Sequence, residues 1–167
     1  MTGTVVWFTG LPSSGKSSLA SEVRSRLLTA GTTACLLDGD VVRRILGPTL
    51  GYSVEERERF YAVLAELAAE LARQGLIVLV PATAHRRDFR ERARALAPRF
   101  IEVWVATPLA ECQRRDDKGL YAAAAQGPSD LPGVGRDYEN PEHPEVTARG
   151  GHDASAVEAI AQLLAAR

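Results

Sequence analysis

Thr4-Val5-Val6-Trp7-Phe8-Thr9 followed by Gly10-Leu11-Pro12-Ser13-Ser14-Gly15-Lys16-Ser17 decides the fold. The first six residues are β-branched and aromatic, and read as a buried strand. The next eight have the spacing G-x-x-x-x-G-K-[ST]. From Ser17 to Leu28, apolar residues recur at Leu19, Val23, Leu27 and Leu28, a helical period that Gly31 closes. A glycine-rich turn between strand and helix lets backbone N–H groups curl around phosphates, and the helix N-terminus adds its positive end. Lys16 is placed to reach β- and γ-phosphates, and the Ser17 hydroxyl to bind Mg²⁺. Gly10, Leu11, Pro12, Ser13, Ser14, Gly15, Lys16, Ser17 and Ser18 are therefore candidate ATP-binding residues.

Working outward, the same alternation repeats. Ala34 to Leu37 reads as a second strand and Glu55 to Arg73 as a long helix stopped by Gly75. Leu76 to Val80 is an apolar run halted by Pro81, hence a third strand. Arg86 to Ala97 is helical, Phe100 to Ala106 is a fourth strand, and Pro108 opens another helix. Ala154 to Ala166 closes the chain as a helix. Strands alternating with helices predict an α/β fold of three layers with a central parallel sheet. Residues 116–151 differ, with prolines, glycines and few apolar side chains. That is too long for an idle connector and reads as a mobile lid.

Length and composition bound the rest. The chain has 167 residues, 46% hydrophobic and 25% charged, with a net charge of −1. One domain over residues 1–167 is expected, and disorder of the whole is excluded. No bulk field draws it to nucleic acid or an anionic membrane, and no apolar run is long enough for a bilayer span. The N-terminus runs straight into a strand-like segment, so no cleavable apolar leader is expected. The two cysteines, Cys35 and Cys112, make neither a disulfide framework nor a metal quartet. They read as buried, inert thiols in a cytoplasmic protein.

Asp38-Gly39-Asp40 ends the second strand, with Arg43 just beyond. Carboxylates at the carboxyl end of a parallel strand face the ligand crevice. One can take a proton from an acceptor hydroxyl or help hold Mg²⁺. The arginines at 86, 87, 90, 92, 94 and 99 read as a solvated helix face, with Arg86 set apart because it follows the third strand. Trp7 and Trp104 read as core.

These stretches together resemble the adenylylsulfate (APS) kinase family. The resemblance rests on Trp7 to Leu11 with the phosphate loop, Leu37 to Asp40 with Arg43, and Leu50-Gly51-Tyr52-Ser53 with Arg57. It continues through Phe100 to Val105, Thr107-Pro108-Leu109, Cys112, and Arg115 to Tyr121 with its Lys-Gly-Leu-Tyr element. Gly133, Tyr138-Glu139 and Pro141-Glu142 complete it. The resemblance implies a P-loop kinase with ATP and Mg²⁺ as cofactors, phosphorylating the 3′-hydroxyl of APS. It implies Lys16 and Asp40 as catalytic residues, Ser17 and Asp40 on the metal, and Arg115 on ATP. Asp38, Arg43, Tyr52, Arg57, Lys118 and Leu131 fall on the acceptor side. The partners implied are a nucleotide and a small-molecule acceptor, with no nucleic acid or membrane. A homodimer is compatible with the family, although no interface is readable in the sequence.

The chain also departs from the family pattern. Where the family has Asn-x-Arg-Arg on its long helix, Phe60, Ala62 and Val63 stand here. Leu131 replaces a lid phenylalanine, and Pro81-Ala82-Thr83-Ala84 replaces Phe-Ile-Ser-Pro. Losing two hydrogen bonds to a charged group weakens recognition by about 10²–10⁴-fold unless something replaces them. Two readings therefore stand. Either Arg57, Arg59 and Arg86 rebuild an anion site for APS, or the enzyme phosphorylates a different nucleotide or small alcohol. A nucleotide-binding switch without an acceptor is the reading from another class. The chain has no Asn-Lys-x-Asp guanine signature.

Overall fold

The computed structural model describes residues 3–47 and 51–166, so Leu50 of the quoted motif lies outside the described residues. Strands β1 (Thr4–Thr9), β2 (Ala34–Leu36), β3 (Ile77–Pro81), β4 (Phe100–Val105) and β5 (Val146–Ala148) form one sheet. Their order is β2-β3-β1-β4-β5, and every pairing is parallel. β1 lies at the centre, which is why all six of its residues are buried.

Helices cover both faces. Helices α3 (Val54–Arg73) and α4 (Arg87–Leu96) pack on one side, with Trp7, Phe60, Leu64, Val78 and Phe89 in that core. Helices α1 (Lys16–Thr29) and α7 (Ala154–Ala165) pack on the other, around Phe8, Leu19, Val23, Leu79 and Ile160. Short helices α2 (Gly39–Leu46), α5 (Leu109–Arg115) and α6 (Leu120–Ala124) surround the carboxyl edge of the sheet. No helix among the described residues is long and apolar enough to cross a membrane.

The start of α3 is set locally. The Ser53 hydroxyl accepts from Glu56 N–H at 3.2 Å, and the Glu56 carboxylate accepts from Ser53 N–H at 2.9 Å and Gly51 N–H at 3.0 Å. This capping box satisfies helix-end donors that would otherwise be bare. Those N–H groups also hold the Glu56 carboxyl below its usual range.

Three expectations need correction. Pro81 belongs to β3 and pairs with Phe8. Its missing N–H falls on the side of β2, whose own pairing stops at Leu79, so no ladder bond is lost. Asp38-Gly39-Asp40 is a helix start, because Asp38 caps α2 with bonds from Asp40 N–H and Val41 N–H. The segment read as lid contains a fifth strand, β5, and is fastened well before it. Glu139 N–H donates to His85 O at 2.8 Å, and the Glu139 carboxylate accepts from Arg87 N–H at 2.7 Å. The Tyr138 hydroxyl meets Thr9 Oγ1 at 2.9 Å. These contacts fasten the segment at Tyr138 and Glu139.

Candidate active site

A cleft of about 560 Å³ opens at the carboxyl ends of β1 and β3. The phosphate loop forms its floor. Gly15 caps α1 with φ 97°, and a Cβ there would come within 2.7 Å of the Gly151 backbone. Only glycine meets both demands. The Asp153 carboxylate holds the turn carrying Gly151 by accepting from Arg149 N–H at 2.9 Å. Thr107 Oγ1 donates to Ser14 O at 2.7 Å and ties the loop to the segment after β4. Ser13 and Ser14 carry buried hydroxyls without a partner among the described residues.

The Lys16 ammonium donates to Gly10 O at 3.0 Å and Leu11 O at 2.7 Å. Burial lowers its pKa to about 8, with Asp40 acting in the opposite direction. Ser17 Oγ donates to Asp38 Oδ2 at 2.6 Å. Asp38, placed on the acceptor side by the family resemblance, is therefore the carboxylate beside the loop serine. Asp40, expected on the metal, pairs with Lys118 of the segment between α5 and α6. A hydroxyl and a carboxylate side by side are hard oxygen donors of the kind Mg²⁺ takes alongside substrate phosphates, so these residues fit that ion.

Over the floor, the Tyr121 hydroxyl of α6 donates to Pro12 O at 2.9 Å. Asp116 caps α6 through Tyr121 N–H and Ala122 N–H. Leu11 packs against Gly133, where a Cβ would sit 2.6 Å from its methyl. Arg115 lies beside Gly15 and is held by the Glu111 carboxylate at 3.0 Å.

On the acceptor side Arg43, Tyr52, Arg57, Lys118 and Leu131 all line the cleft. Arg57 is buried and committed, with Nε to Tyr52 O at 2.8 Å and Nη2 to Asp130 O at 2.9 Å. Arg59 and Arg86 do not line it. Arg57, Phe60, Tyr61 and Leu64 form the inward face of α3, and Arg59 falls out of that phase and is exposed. The Arg86 guanidinium is taken by Glu58 at 3.1 Å and by Asp88. Of the three apolar replacements, Phe60 alone lines the cleft, while Val63 is exposed. Tyr61, unmarked in the sequence, lines it too and accepts from Ala84 N–H through its hydroxyl at 3.0 Å.

The basic run is not all solvated. Arg90 is buried and joins Glu102, Ala84 O and Glu139 O. Cys112 is buried as expected, whereas Cys35 is only half-buried.

His85 lies behind the cleft, buried, with neither ring nitrogen hydrogen-bonded among the described residues. Burial, reinforced by Arg57 and Arg136, lowers its pKa to about 4. The unfolded chain takes up the proton near pH 6.5. The stability this neutral ring supports is thus present above pH 6.5 and is lost as pH falls toward 4. Between pH 7 and 4.5 the loss is about 2–3 kcal/mol. Urea unfolding of the wild type and His85→Leu is expected to show their stability difference shifting by that amount in favour of the variant at pH 4.5. An unchanged difference contradicts the assignment.

The fold and the site define a P-loop phosphotransferase acting on a hydroxyl. A family model for adenylylsulphate kinase matches residues 2–149, and the chain belongs to that family. A probable adenylyl-sulfate kinase of Archaeoglobus fulgidus is 43% identical over 143 residues, covering 85% of this chain and 92% of that protein. The bifunctional enzyme NodQ of Rhizobium meliloti is 47% identical over 148 residues, and the chain spans only 23% of its length. The Mycobacterium tuberculosis APS kinase CysC, solved in complex with AMPPNP and APS, superposes with a TM-score of 0.87. It is 39% identical, with 98% of each chain covered.

Proposed function

We propose that this chain transfers the γ-phosphoryl group of ATP to the 3′-hydroxyl of APS, giving 3′-phosphoadenylylsulfate and ADP. The observation that carries this reading is the meeting of Asp40 and Lys118 in a cleft whose floor is the phosphate loop and whose far wall holds Arg43. A proton acceptor, a mobile cation and an anion-binding arginine thus converge on one space. The family membership supports the identity of the acceptor.

Transfer needs little covalent help from protein, so positioning and charge dominate. The loop N–H groups and Lys16 stabilise charge developing on the transferred group. The Asp40 carboxylate accepts the proton of the attacking hydroxyl once Lys118 turns from it toward the phosphates. Segment 116–137, closed over the cleft, excludes water and suppresses idle hydrolysis. Ser17 and Asp38 would hold Mg²⁺, which would supply neutralisation of phosphate charge.

Steady-state kinetics at varied Mg²⁺ separate the two aspartates. Asp40→Asn is expected to lower kcat at least ~10²-fold with an unchanged Mg²⁺ requirement. Asp38→Asn is expected to raise the Mg²⁺ requirement, with the fold kept because asparagine also caps a helix. If Asp40→Asn changes only the acceptor KM, Asp40 is a binding residue and this mechanism is wrong.

A further inference from the structure

We propose that Phe60 is a positioning residue for the acceptor, acting through Arg43. The proposal rests on the reading that the acceptor is an anionic nucleotide. The Arg43 guanidinium meets two rings, its Cζ 3.9 Å from the Phe60 centroid and 4.4 Å from the Tyr52 centroid. Nη1 donates to Gly51 O at 2.8 Å, which fixes its rotation. Two aromatic rings thus pack against a guanidinium that lines the cleft.

Each ring is itself held. Phe60 is buried and meets Tyr61 edge to face at 5.1 Å, and the Tyr61 hydroxyl is bonded to the backbone at Ala84. Tyr52 is 57% exposed, but its carbonyl is gripped by Arg57. The other cations of the cleft are occupied in this arrangement. Lys16 serves the phosphate loop, Lys118 pairs with Asp40, and Arg57 serves Tyr52 and Asp130. With Lys118 turning to the transferred phosphate and Arg57 kept by the chain, recognition of acceptor charge falls on Arg43. An arginine pre-set in this way loses less freedom when it grips a phosphate or phosphosulfate than one that swings freely. An aromatic ring at position 60 supplies this in place of a direct polar contact.

The strength of a partly desolvated cation–π contact sets the expected size, about 5- to 30-fold in acceptor KM. Phe60→Leu is expected to raise the APS KM by that factor, with kcat changed less than about 2-fold and the ATP KM unmoved. Phe60→Tyr, which keeps the ring, is expected to stay near wild type. In an Arg43→Met background, Phe60→Leu is expected to add almost nothing. Tyr52→Leu removes the other, solvent-facing ring without touching the core. It is expected to raise the APS KM in the same way, and serves if Phe60→Leu folds poorly.

An NMR measurement that needs no acceptor is paired with the kinetics. In the wild type the Arg43 side-chain protons are expected to be shifted upfield by the two rings, and in Phe60→Leu or Tyr52→Leu part of that shift is expected to vanish. Unshifted Arg43 protons in the wild type overturn the proposal, as does a Phe60→Leu effect that persists undiminished in Arg43→Met. A wild type that does not phosphorylate APS sinks the proposed function, whereas the Arg43 shifts still decide whether the two rings hold Arg43.

Discussion

Lys16→Ala is expected to lower phosphoryl transfer by at least about 10³-fold while leaving the melting temperature unchanged or raised. The two effects share one cause. The Lys16 ammonium is desolvated by the loop around it, and that burial lowers its pKa to about 8. Two backbone carbonyls, Gly10 O and Leu11 O, compensate only in part. The loop thus carries a charge that suits the folded state poorly and suits a polyphosphate well. Removing it relieves the fold and strips the transition state of a fixed cation. Single-turnover ADP formation with saturating ATP and APS, beside a thermal melt, measures both. Near-normal turnover in this variant contradicts the assignment of the phosphate loop.

Arg90→Met is expected to cost about 3–5 kcal/mol of stability, or a fall of about 10 °C in melting temperature. The Arg90 guanidinium is almost fully buried and joins four separate places. It donates to Glu102 on β4 at 2.7 Å, to Ala84 O at 2.5 Å, to Arg86 O at 3.3 Å and to Glu139 O at 2.6 Å. Truncation leaves Glu102 buried with Arg94 at 3.6 Å as its remaining ionic partner. It also strips carbonyls of their donor, the costly case for a buried polar group. Arg90→Lys is not expected to rescue, since one ammonium cannot span a forked set of acceptors. Replacing Glu102 as well, in Arg90→Met/Glu102→Leu, is expected to recover part of the loss. Guanidinium unfolding checks all three. A cost under 1 kcal/mol for Arg90→Met means that the network does not hold this end of the sheet.

How far the sequence could be read follows from the range of each interaction. The strand, phosphate loop and α1 form one contiguous stretch, so spacing alone located the floor of the cleft. β5 is three residues in a proline-rich stretch, and Val146-Thr147-Ala148 is a strand because the β4 edge is there to pair with it. Nothing local announces that. Asp38 and Asp40 were both marked, but their roles depend on which way each carboxylate turns. The α2 cap turns Asp38 toward Ser17, and Lys118 engages Asp40. Arg59 and Arg86 looked available because they sit near the right residues in sequence. One is out of phase on its helix, and the other is intercepted by Glu58 and Asp88. Arg90 hid in a run of charges because its acceptors lie 6, 12 and 49 residues away. Phe60 reads as a lost polar contact in the sequence because only the fold lays Arg43 on its ring.

The most direct test of the central claim is the identity of the product. The protein is incubated with ATP, Mg²⁺ and APS, and the mixture is followed by phosphorus NMR. Transfer to the 3′-hydroxyl predicts a new phosphate monoester signal, coupled to the ribose H3′ proton, growing in step with ADP. ADP accompanied only by inorganic phosphate, or no ADP at all while another alcohol is phosphorylated, contradicts APS as the acceptor.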